Sequence, residues 1–168
     1  MSRDALPGDW PAIWPIFEEI VRAGDAYAYP ADTDKPTAEA LWMTKPERTF
    51  VVEHDGKILG TYYLKTNQEG PGKHVCNCGY MVSSVARGMG IARQMCEHSQ
   101  GIAVAMGFNA MQFNFVASTN DAAVALWHAM RQRASEDWLL AACRQAPAAG
   151  RDSEYELDEG SDEELPRA

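Results

Sequence analysis

The 168-residue chain has no run of about 18 apolar residues, the length a membrane span needs. Its first residues, with Asp4 and Asp9 so early, lack the pattern of a secretory signal. Basic residues are scarce: 15 Lys and Arg stand against 24 acids, for a net charge of −9. No basic patch of the kind that holds nucleic acid is visible. Six of the nine net negative charges lie in residues 151–168, where eight acids meet two arginines, so the rest of the chain is nearly neutral. Cysteine is limited to four residues, too few and too scattered for a disulfide scaffold. His74, Cys76 and Cys78 alternate, but no turn-spaced Cys-x-x-Cys and no second ligand pair occur, so no metal is expected. These absences leave a single domain with 46% apolar and 10% aromatic residues, expected in the cytoplasm with neither membrane nor nucleic-acid partners.

What is present centres on residues 76–93, CNCGYMVSSVARGMGIAR. Gly79-Tyr80-Met81-Val82 reads as the end of a strand, Arg87-Gly88-Met89-Gly90-Ile91-Ala92 as a glycine turn, and Arg93–Met106 as an amphipathic helix. A strand, a glycine turn and a helix start together leave unpaired amides at the positive end of a helix dipole, which suits a phosphate. The dinucleotide fingerprint would need a third glycine, and the Walker loop a Gly-Lys-Ser/Thr; neither is found.

Arg87, Gly90 and Ala92 fall on the Arg/Gln-x-x-Gly-x-Gly/Ala signature of the GNAT N-acetyltransferase superfamily. Downstream, Asn120 and Ala123 fit that family's Asn-x-x-Ala-x-x-x-Tyr segment, with Trp127 in the tyrosine place. The chain thus resembles GNAT enzymes over about residues 1–130, and within them the phosphinothricin acetyltransferase-like branch. The resemblance implies a mixed, mostly antiparallel α/β sheet flanked by helices, with acetyl-CoA as co-substrate. It implies that backbone groups of Tyr80, Met81 and Val82 pair with the pantetheine arm. The turn amides of Arg87, Gly88, Met89, Gly90, Ile91, Ala92 and Arg93 would take the pyrophosphate, and Asn120 the pantetheine amide. The loop between the first two helices would form a wall of the acceptor pocket, making Tyr27 and Tyr29 candidates for substrate contact, with Tyr63 beside them.

The proton handlers of the related branch are missing. Asn77 stands where that branch has a glutamate, and Trp127 replaces the tyrosine acid. His74 and Tyr80 are the substitute candidates for catalysis, with Tyr63, Glu18 and Glu19 behind them. The expected activity is acetyl transfer to the amine of a small molecule, an amino acid or related compound, whose carboxylate Lys65 would meet. The alternative is an acyl-CoA-binding domain with weak or no activity.

Along the chain, Asp9 and Gly24 bracket a first helix, and a short second helix is expected at residues 37–43. Thr49–Glu53 and Ile58–Leu64 read as strands joined by an Asp55-Gly56 hairpin turn. Residues 74–82 form the next strand, residues 110–116 another, and residues 122–130 a further helix. After Met130 the text departs from the family pattern. Residues 131–150 read as helix and linker and residues 151–168 as a disordered acidic tail, with the last strands missing or replaced. A sheet lacking its final strands would expose an edge, and on that ground a homodimer is expected.

Overall fold

The computed structural model describes residues 1–117, 125, 139–145 and 155–157. It contains one mixed sheet with its strands in chain order: β1 (Ser2–Asp4), β2 (Arg48–His54), β3 (Lys57–Thr66), β4 (Val75–Val82), β5 (Ala110–Ala117), β6 (Leu139–Gln145) and β7 (Tyr155–Leu157). β1 through β4 pair antiparallel, and β4 with β5 parallel. β2 and β3 meet at the expected Asp55-Gly56 turn, both residues at positive φ. β1, an edge strand of three residues, carries no periodic signal and was not expected.

One helix pair lies on one face of the sheet. α1 (Trp10–Ala23) ends at Gly24 in the left-handed conformation and buries Trp10, Ile13, Ile16, Phe17 and Val21. α2 (Lys35–Glu39) starts under the Asp34 carboxylate, which accepts from the Thr37 amide at 2.8 Å, and runs on through a wide helical turn over Ala40–Thr44. These helices cover Val51, Tyr63 and Met81. On the other face α3 (Ile91–Ala105) packs Ile91, Met95, Cys96, Ser99 and Ala103 onto the sheet. Gly60 of β3 makes that approach possible. A Cβ there would lie 2.8 Å from Ile91 Cγ2 and 3.1 Å from Met95 Sδ, inside the contact limit of both.

The sheet continues past β5. β6 pairs parallel with β5, and β7 antiparallel with β6. Leu139–Gln145 is therefore strand where helix was expected, and Tyr155–Leu157 is strand within the acidic tail. Pairing outweighs intrinsic preference here, because an unpaired β5 edge is a ready template for any extended segment. With that edge taken by β6, the ground on which a dimer was expected is removed. The expected helix over residues 122–130, with Asn120 and Trp127, lies outside the described residues.

Candidate active site

β4 and β5 begin side by side and then part. Val75, Cys76 and Asn77 pair with Ala110, Met111 and Gln112; beyond them Cys78–Val82 and Phe113–Ala117 are unpaired with each other. Which β4 residues face the gap follows from alternation. The Val75 carbonyl accepts from the Asn67 amide and the Ser83 amide donates to the Leu59 carbonyl, so odd-numbered residues turn their backbone toward β3. Tyr80 and Val82 thus face the gap. Met81 instead turns its backbone to Thr61 of β3, and the Tyr80 carbonyl accepts from the Tyr27 hydroxyl.

Past Val82 the chain makes a short turn at Ser84–Ala86 and enters the glycine loop. Gly88 and Gly90 sit at φ 78° and 76°, where a side chain would be strained. The Arg87 amide bonds to Ser84 and the Met89 amide to Ala86, which closes the turn. The Gln94 amide makes the first helical bond, to Gly90. The Ile91, Ala92 and Arg93 amides, one turn ahead of it, bond to no described residue and point out of the helix at its positive end. Arg87 is exposed, and Arg93 pairs with Glu97 at 2.9 Å on the surface. The first turn of α3 thus presents amide donors at the positive end of the helix.

On the α1 face, aromatic residues gather beside the parting strands. Tyr27 and Tyr29 stack with ring centroids 5.5 Å apart and planes within 3°. Trp42 meets Tyr63 edge-on at 4.9 Å and is pinned through its indole N–H to Thr61 Oγ1 at 3.0 Å. The Tyr27 hydroxyl donates to the Tyr80 carbonyl at 2.8 Å, and the Tyr63 hydroxyl to Asn77 Oδ1 at 3.2 Å. Burial pushes all three phenols upward, so they stay protonated at neutral pH. Lys65 Nζ lies 5.6 Å from the Tyr63 ring centroid on the same face. The three tyrosines singled out in the sequence are therefore brought together.

The two expected catalytic residues are not. His74 precedes β4, is exposed, and its Nδ1 contacts the Pro71 carbonyl at 2.9 Å. Six residue steps, roughly 20 Å of extended chain, separate it from Tyr80. The Tyr80 side chain turns to the α3 face, where its hydroxyl meets Ser99 Oγ at 2.6 Å and burial raises its pKa well above the ordinary value. Cys76 and Cys78 are buried on that face too, the first thiol pushed up to about 12 by desolvation. Among the described residues, no three His, Cys, Asp or Glu side chains are grouped to hold a metal. No helix among them is long and apolar enough to cross a membrane.

Two residues carry more than the sequence suggested. Asn77, set aside as unable to act as a base, sits where the strands part, and Gly79 makes room for the Tyr63 ring: a Cβ there would lie 2.6 Å from a ring carbon. A glycine inside a strand pattern is the signal that finds the second; no local pattern marks the first.

Comparison with known proteins agrees with this geometry. Over 79 residues the chain is 34% identical to the N-acetyltransferase aca1 of Schizosaccharomyces pombe, a match spanning 47% of this chain and 38% of that one. The chain thus spans well under half of that relative's length. The structure of a GCN5-related N-acetyltransferase from Kribbella flavida is similar at 44% identity and TM-score 0.73, covering 77% of this chain and 80% of the other. The fold is shared with a phosphinothricin acetyltransferase from Sinorhizobium meliloti solved with acetyl-CoA, at 21% identity and TM-score 0.68 over 77% and 72% of the two chains. The sequence profile of the acetyltransferase (GNAT) family matches residues 10–130, and the chain belongs to that family.

Proposed function

We propose that the protein transfers the acetyl group of acetyl-CoA to the amine of a small molecule, an amino acid or a related compound. The observation that carries this reading is the parting of β4 from β5 immediately ahead of a glycine turn and an uncapped helix start. The backbone of Val82, and of Tyr80 with its carbonyl also accepting from the Tyr27 hydroxyl, borders the gap where an extended amide-bearing arm would lie, and the Ile91 to Arg93 amides offer donors to a diphosphate. Acetyl-CoA supplies an activated thioester when bound. The residues around it hold and orient.

On the α1 face, Tyr27, Tyr29 and Tyr63 present hydroxyl oxygens that accept from an amine N–H and rings that shield it from water. Their protonated phenols are poor bases. No carboxylate or imidazole among the candidates described lies at the parting point, so the amine arrives unprotonated from solution and gives its proton to water. Lys65, near Tyr63, suits a carboxylate on the same substrate. Asn120 in its pantetheine role and a cytoplasmic location belong to the same reading, on sequence grounds.

Asn77 in place of a carboxylate and the distance of His74 favour a second reading, a CoA-binding domain without turnover. Calorimetric titration with acetyl-CoA, followed by thiol release over a panel of amines, separates the two. Binding with thiol release for an amine supports the first. Binding with no release above buffer for any amine supports the second, and absence of binding overturns both.

A further inference from the structure

Asn77 is 5% exposed and both ends of its amide are engaged. Nδ2 donates to the Gln112 backbone carbonyl at 2.9 Å, and Oδ1 accepts from the Tyr63 hydroxyl at 3.2 Å. Gln112 is the last β5 residue in register with β4, and Asn77 is its partner. The side chain therefore spans the two strands on the α1 face at the rung where they part. Its other end fixes the phenol that leans across Gly79 toward the gap.

We infer that Asn77 is a positioning residue: its amide clamps the point at which β4 and β5 separate and holds the Tyr63 hydroxyl at that point, so that one side chain sets both the cleft and the acceptor wall. This rests on the proposed acetyl transfer for its meaning in catalysis, but the clamp belongs to the free protein. An ionised carboxylate would not make the same two contacts. Asp at this place keeps an acceptor for Tyr63 yet sets an anion against the Gln112 carbonyl, with no hydrogen to donate. A carboxamide satisfies both partners without charge in a buried position, where an unpaired ion is costly.

Asn77→Asp, Asn77→Ala and Tyr63→Phe separate the two ends of the amide. In the free protein, amide hydrogen exchange across residues 110–113 and 78–80 is expected to speed up about five- to tenfold in both Asn77 variants, the effect of one lost buried hydrogen bond. The β2–β3 hairpin should keep its protection. In the same preparations, acetyl-CoA affinity falls for Asn77→Asp and Asn77→Ala but not for Tyr63→Phe, whereas KM for the amine rises for Tyr63→Phe and Asn77→Ala. A merely structural role would lower all protection factors together and leave this division absent. Unchanged exchange at residues 110–113 in Asn77→Ala overturns the clamp, whether or not acetyl-CoA binds. Faster exchange there without acetyl-CoA binding to the parent protein keeps the clamp and removes the acetyltransferase reading.

Discussion

The Tyr27 hydroxyl donates to the Tyr80 carbonyl oxygen across 2.8 Å, joining the loop after α1 to the strand that borders the gap. The two residues are 53 positions apart in sequence. Tyr80 uses its carbonyl for the loop and its side chain for α3, so one β4 residue ties together both faces of the sheet.

Tyr27→Phe removes that tie with little change of volume. It leaves a buried carbonyl without this donor, at a cost of about 1–2 kcal/mol of stability. The expected outcome is a melting temperature lowered by a few degrees, together with a raised KM for the amine. Calorimetry and thiol-release kinetics measure the two. An unchanged KM would detach Tyr27 from the acceptor site.

Gly88→Ala places a Cβ in open space but at φ 78°, so its cost is conformational and near 1 kcal/mol. The turn relaxes by moving the amides of the next helical turn. Acetyl-CoA affinity should fall about tenfold or more, as for loss of one hydrogen bond to a charged group, while thermal stability changes slightly. Calorimetric titration reads the first effect and a melting curve the second.

Burial raises the phenols of Tyr27, Tyr29 and Tyr63, so none of them loses its proton near neutral pH. With no base beside the amine, the rate should climb about tenfold per pH unit until the amine's own pKa is reached. Two amines of different basicity should therefore give pH profiles displaced by the difference between them. Superimposable profiles would instead reveal an enzyme base.

Asp9 accepts from Arg3 at 2.7 Å and from the Leu6 amide at 2.7 Å, which hold its carboxyl below the ordinary 3.8. A depressed carboxyl adds stability at pH values above its unfolded pKa and loses it as pH falls through the folded value. Asp9→Asn should therefore melt below the parent at pH 7, and the difference should shrink at pH 3. Thermal melts at the two values test it.

Local chemistry was readable where it is written in consecutive residues. Asp55-Gly56 marks a turn because both positions need positive φ, and Arg87 to Ala92 marks a turn and helix start for a related reason. Tyr27, Tyr29 and Tyr63 were found as aromatics in the right segments, but their meeting is a product of packing. β1 escaped notice because three residues carry no period, and it exists by pairing Ser2–Asp4 with Phe50–Val52. β6 escaped because Leu139–Gln145 has no alternation, and its place was decided by the edge beside it. His74 misled because strand alternation tells which side of a sheet a residue shares, and says nothing of how far along it lies.

Gly60 belongs to a hairpin that meets no proposed ligand, yet it governs how deeply the start of the following long helix sinks onto the sheet. A Cβ there would meet Ile91 Cγ2 at 2.8 Å, so any larger residue forces the side chain at the first position of that helix to shift. The seating of that helix start thus depends on a residue far upstream in β3, which presents a hydrogen atom where other residues carry a Cβ.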